Sequence, residues 1–286
     1  MKEQFIAKTV RKKTLELINS INSILAEYEQ KGLTLTLRQV YYQLVARGLC
    51  NNSKADYDKI SDVVSDGRML GLIDWTSIED RTRFIRENAH WTSPQEVIKA
   101  AAQQYRINIR AGQPYYLECW VEKDSLISIL ESVCKPLDVP CFSCRGFASV
   151  TALYDAAGRF SEHDNSVILY AGDHDPSGLK IPQVIQDRLN LFGVCVTLER
   201  LGLTYEQVIS LNLPPYPAKQ QDKNFDEYVR LTGLKEAWEL DALPPEYLAD
   251  LFTRGIERYT DFEQLKKLQD LEKQDKGFFN SLCANM

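Results

Sequence analysis

Two aspartates spaced two residues apart, Asp173 and Asp175, follow an apolar run in "SVILYAGDHDPSG", and a glutamate, Glu122, follows another in "CWVEKDS". In extended chain, residues i and i+2 point the same way, about 6–7 Å apart. Three carboxylates brought together offer oxygen donors only. That set suits Mg²⁺, a hard cation that keeps several waters and bridges to phosphate. Plainer readings stay open here: Asp-Pro and Ser-Gly are ordinary turn formers, and an acid ahead of a helix is favoured by the helix dipole. His174, between the aspartates, has a phosphate within its chemical reach, but is expected as a solvent-facing residue. A tyrosine pair in "LTLRQVYYQLVARGL" (35–49) offers a second chemistry. With Thr36 as N-cap, Leu37, Val40, Tyr41 and Leu44 share one helical face. Tyr42 falls about 150° from the centre of that stripe, one turn from Arg38. Tyr41 is therefore expected in the core and Tyr42 outward beside a cation. A free tyrosine has a pKa near 10, so about one in 10³ is phenolate at neutral pH. Nucleophilic use needs a cation and a polarised phosphodiester, and Arg38 is the local cation.

The elements that must position these groups alternate. Strands are expected at 115–121, 139–144, 166–171 and 194–199, with helices at Asp124–Cys134, Val150–Phe160 and Leu179–Leu191 between them. Strands separated by helices of this length imply parallel crossovers and an α/β sheet. Ligands bind beyond the carboxyl ends of such strands, where Glu122 and the Asp173/Asp175 pair fall if their strands are neighbours. Ahead of the sheet, "IRAGQPYY" (109–116) reads as a linker, which divides the chain into residues 1–112 and 113–286. The first part is mostly helical. Its segment "DYDKISDVVSDGRMLGLIDWTSIEDRTRF" suggests a helix, a Gly-flanked turn and a short strand followed by Arg81, Arg83 and Arg86, a winged-helix pattern suited to a DNA groove. After the sheet, Glu239 and Asp241 precede two prolines, as support for a metal cluster or as a helix cap. A helical tail with an apolar stripe closes the chain.

Composition narrows the class. The 286 residues are 44% hydrophobic and 26% charged, enough for a sizeable core. No apolar run approaches the roughly 18 residues of a membrane span. Seven cysteines without framework spacing, and no signal-peptide core at the N-terminus, point to a reduced cytoplasmic protein. Cys141 and Cys144 form one C-x-x-C, but a zinc site would need a second pair or nearby histidines. Net charge is −6. It is split between a basic first part, 17 Lys/Arg against 13 Asp/Glu, and an acidic second part, 17 against 27. An acidic half still acts on DNA where its carboxylates hold metal and the other half contacts phosphate.

Together these motifs resemble the A subunit of topoisomerase VI and the meiotic double-strand-break proteins. "LRQVYYQLVARG" is similar to their catalytic-tyrosine helix, with the second tyrosine, Tyr42, as nucleophile. "WVEKDS" and "GDHDPSG" resemble a Toprim domain, whose glutamate and D-x-D pair would be Glu122, Asp173 and Asp175. "SCRGFASV" and "WELDAL" follow in family-like order. The resemblance implies an N-terminal winged-helix domain followed by a Rossmann-like Toprim domain with a helical C-terminal extension. It implies Mg²⁺ as cofactor, double-stranded DNA as partner with Arg68, Arg81, Arg83 and Arg145 as contacts, and a homodimer. Tyr42 of one protomer would attack DNA held at the metals of the other, leaving a 5′-phosphotyrosyl break. The chain departs from the family in its short length and in carrying no P-loop, so a separate ATPase (B-like) subunit or a self-sufficient enzyme is implied. The alternatives are a Toprim nuclease using water and a non-catalytic winged-helix DNA-binding protein.

Overall fold

The computed structural model describes residues 2–79, 88 and 90–284. Its first part is helical. α1 (Lys12–Gln30) buries Ile18, Ile21, Leu25 and Tyr28, one face at helical spacing. β1 (Leu35–Thr36) runs into α2 (Leu37–Ala46), where Thr36 and Gln39 form a reciprocal capping box. α3 (Lys54–Met69) begins at the Ser53 cap and buries Ile60, Val63 and Val64. β2 (Ile78–Glu79) pairs with β1 in parallel. This two-residue ladder is therefore not a hairpin wing, and the basic residues Arg81, Arg83 and Arg86 expected on a wing lie outside the described residues. α4 (Pro94–Gln104) follows.

The second part is the expected α/β unit. β3 (Tyr116–Val121), α5 (Ile127–Cys134), β4 (Cys141–Ser143), α6 (Val150–Phe160), β5 (Ser166–Ala171), α7 (Pro176–Leu191) and β6 (Thr197–Gly202) follow in order. The four strands form one parallel sheet in the order β4-β3-β5-β6. β3 and β5 are direct neighbours, with Val121 opposite Ala171. The strand at 194–199 starts later than expected, at Thr197. Gly193, at φ +84°, ends the preceding turn, and Val194 bonds back to the Leu189 carbonyl. Buried β3 and β5 residues divide by period two. Leu117, Cys119, Val121, Val167, Leu169 and Ala171 face one core, while Trp120, Ile168 and Tyr170 face a second core beneath α6 and α7. Cys141 packs against the first core and Cys144 lies in the second, so that C-x-x-C pair splits across the sheet.

Beyond the sheet come α8 (Tyr205–Ser210), β7 (Tyr216–Pro217), α9 (Phe225–Thr232), β8 (Glu236–Ala237), a 3₁₀ turn Leu240–Ala242, α10 (Pro245–Arg258) and α11 (Phe262–Ala284). β7 and β8 pair antiparallel. The first core runs without a break from Ile18, Ile21 and Val40 to Leu169 and Phe252, so the helical part and the sheet share one apolar interior. The segment around residues 105–107 is tied to α11: the Tyr105 hydroxyl donates to Asp275 and the Ile107 amide to Glu272.

Candidate metal and tyrosine site

The carboxyl ends of β3 and β5 meet as expected, and the chain there is shaped by its glycines. A Cβ at Gly172 would meet the Tyr170 hydroxyl, with Glu122 Oε2 at 2.7 Å, and one at Gly178 would run into the Asp173 carbonyl. Both positions need the missing side chain to let the turn fold tightly against Glu122. Glu122 Oε2 accepts the Asp173 amide at 2.9 Å, which locks the two acids to each other. Asp175 caps α7, its Oδ1 accepting the Gly178 amide at 2.6 Å, and the Tyr216 hydroxyl donates to its Oδ2 at 3.4 Å. Arg200 of β6 closes the turn from behind, its Nη2 donating to the carbonyls of Gly172 and Asp173 at 2.9 and 2.7 Å.

Further groups complete the site. Lys123 follows Glu122 in extended backbone, so the two side chains leave on opposite sides. Its Nζ lies 2.8 Å from Asp173 Oδ2, 2.9 Å from Asp241 Oδ2 and 3.1 Å from Glu239 Oε2. Arg38 reaches across from α2: its Nε donates to Glu239 Oε2 at 2.9 Å, its Nη2 pairs with the same carboxylate, and Asp241 lies 3.8 Å away. The Leu240 amide donates to Asp173 Oδ1 at 2.7 Å, and Ser125 Oγ donates to Asp241 at 3.1 Å. The tyrosine helix and the strand-end acids therefore form one charge network within a single chain. Lys123, Ser125 and Arg200 carry no family of spacings that sequence reading could follow. Only the fold reveals their part.

Two expectations are corrected. Tyr42 is not presented outward: it is 4% exposed, as buried as Tyr41. The face of α2 opposite the apolar stripe is covered by the 3₁₀ turn Leu240–Ala242, an element from the far end of the chain. Tyr41 meets the Tyr42 ring edge-on, accepts the Ser53 amide at 2.8 Å and also meets the Tyr57 ring edge-on. His174 is not solvent-facing either, being 5% exposed. Its backbone bridges to Trp238 and its ring lies among Trp238, Tyr228 and Tyr205, where burial lowers its pKa and favours the neutral form. Of the proposed DNA contacts, Arg145 is well exposed near the strand ends, at φ +53° and paired with Asp124 at 3.1 Å. Arg68 donates to the carbonyls of Trp75 and Ile78 and so ties α3 to the following loop.

The electrostatics follow from burial. Glu122 is pushed up by desolvation and then by the like charge of Asp173. Asp173 is pushed up by burial, against the pull of Lys123. Burial also opposes the charge on Lys123, but Asp173, Asp241 and Glu239 outweigh it and hold the ammonium well above its ordinary value. Glu239, although buried, is brought down to about 2 by Lys123 and Arg38. The Tyr42 phenol is pushed up by burial and by the Glu239 charge, more than Arg38 and Lys123 bring it down.

Whether these residues suit Mg²⁺ can be judged from the donors. Among the described residues, no group of three His, Cys, Asp or Glu side chains is arranged to hold a metal ion as it stands, and the three acids around Lys123 already hold its ammonium. Mg²⁺ commonly takes only one or two carboxylates, with water and substrate phosphate completing its shell. Glu122 and Asp173 supply that pair, and the Glu122 carboxylate already accepts the Asp173 amide. The donors fit. Beside the cluster opens a cavity of about 530 Å³, whose walls include Arg38, Ser125, Tyr57, Arg68 and Trp75. Arg38 and Ser125 thus touch both the cavity and the acids.

No protein-family model and no curated protein matches this chain. Among the described residues, no helix is long and apolar enough to cross a membrane.

Proposed function

We propose that this chain is a Mg²⁺-dependent DNA-cleaving enzyme of the topoisomerase VI A-subunit kind, in which a winged-helix-like part carries Tyr42 to a Toprim sheet. The observation that carries the reading is the docking of the tyrosine helix onto the strand-end acids through Arg38, Glu239 and Lys123. The Tyr42 oxygen attacks the phosphorus and the bond to the 3′ oxygen breaks. The phenol proton ends on the 3′-hydroxyl, and a 5′-phosphotyrosyl ester remains, ready for reversal. Bound at Glu122 and Asp173 beside Asp175, Mg²⁺ would polarise the phosphodiester. Arg38 and Lys123 supply positive charge beside the phenol, which its burial makes a poor nucleophile on its own. Glu239, brought down to about 2, is a weak base, so activation falls to the cations rather than to proton removal by that carboxylate. A homodimer with two such sites accounts for a double-strand break, and a separate ATPase subunit for any gating.

A second reading has its own support. Tyr42 is 4% exposed with its phenol pKa pushed up, which favours a Toprim nuclease in which water attacks. A non-catalytic groove-binding protein is less well supported: the exposed face of α3 carries Asp58, Asp62 and Asp66 against Lys54 and Lys59, a poor match to phosphate. Plasmid incubated with Mg²⁺ and quenched in detergent separates the first two readings. The tyrosine route gives protein-linked ends that Tyr42→Phe abolishes, and the water route gives free 5′ ends at an unchanged rate in that variant.

A further inference from the structure

The acids at the strand ends fall into two sets. Lys123 lies among Asp173, Glu239 and Asp241 at 2.8–3.1 Å, and Asp241 has a fully buried side chain. An ammonium has three donors and no acceptor, and here three carboxylates surround it. Glu122 lies on the other side of the backbone, joined to Asp173 through the amide. Glu122, Asp173, Asp175, Glu239 and Asp241 stand against Lys123, Arg38 and Arg200, leaving a deficit of two charges, which is that of one divalent ion. We infer that Lys123 fills, as part of the fold, the position among Asp173, Glu239 and Asp241 that a second divalent cation would otherwise take, so that the site binds a single divalent metal on the Glu122 side. The inference rests on the metal reading of Glu122 and Asp173. A covalently attached ammonium cannot leave with product or be chelated, so its positive charge stays in place through each turnover. It also keeps Glu239 and Asp241 from acting as metal ligands.

The test counts Mn²⁺ bound to the metal-freed full-length chain, without DNA, by calorimetry and by the loss of free-ion electron paramagnetic signal. The wild type is expected to bind one Mn²⁺ per chain, and Lys123→Ala to bind two. Glu239→Gln in the wild-type background is expected to keep the one site, because that carboxylate serves the lysine and not the metal. Two Mn²⁺ per wild-type chain would overturn the inference while leaving the metal reading standing, and this count needs no variant to fold. One Mn²⁺ in a folded Lys123→Ala protein would also overturn it. Loss of the single site in Glu239→Gln would place that acid among the ligands and overturn it as well. A wild type that binds none would remove the metal reading, and the inference with it.

Discussion

At the scale of single residues, the site holds charges in unfavourable surroundings, and these have measurable signs. The Glu122 carboxyl is raised by burial and by Asp173. A carboxyl with a raised folded-state pKa contributes stability that is full below the unfolded value, near 4.3, and is lost as pH rises toward the folded value. Glu122→Gln, measured with EDTA present, is therefore expected to raise the melting temperature by a few degrees at pH 8 and much less at pH 4, while abolishing Mg²⁺-dependent cleavage. Glu239 has the opposite sign. Its pKa is lowered to about 2 by Lys123 and Arg38 against the effect of burial, so its contribution is present above about pH 4.5 and is lost as pH falls toward 2. That contribution is on the order of 3 kcal/mol. Urea midpoints recorded against pH should show a shallower acid limb in Glu239→Gln than in the wild type.

At the scale of elements, turns and caps decide where the acids stand. A Cβ at Gly178 runs into the Asp173 carbonyl, which Arg200 also holds. Gly178→Ala is thus expected to weaken Mn²⁺ binding at least tenfold, whereas Gly158→Ala, on open α6 surface where a Cβ meets nothing, should leave it unchanged. The α/β alternation, the β5 span, the α6 span and the Thr36 cap were legible because each rests on local period and turn chemistry. The adjacency of Glu122 and Asp173 was legible only on the condition that their strands are neighbours, which the pairing of β3 with β5 meets. Tyr42 and His174 were misread for one shared reason. Each has its face covered by residues 238–242, nearly two hundred positions beyond Tyr42 and more than sixty beyond His174, and no local period reports such a contact. Lys123 escaped notice because a lysine beside an acid ordinarily means a solvated pair.

At the scale of the whole molecule, the continuous core joining the helical part to the sheet places Tyr42 on the acids of its own chain. The resemblance implies exchange between protomers instead, and mixing separates the two. When Tyr42→Phe and Glu122→Gln chains are combined, exchange between protomers would restore one complete site per heterodimer. Action within the chain, which this geometry supports, restores none, so the mixture is expected to stay inactive in plasmid cleavage. The central claim is that Tyr42 becomes joined to DNA. Peptide mass spectrometry of the chain trapped in detergent with Mg²⁺ and DNA, then digested with nuclease and protease, tests it most directly. The account predicts the Tyr42 peptide carrying a nucleotide through its phenol oxygen. Cleaved DNA together with an unmodified Tyr42 peptide would contradict it.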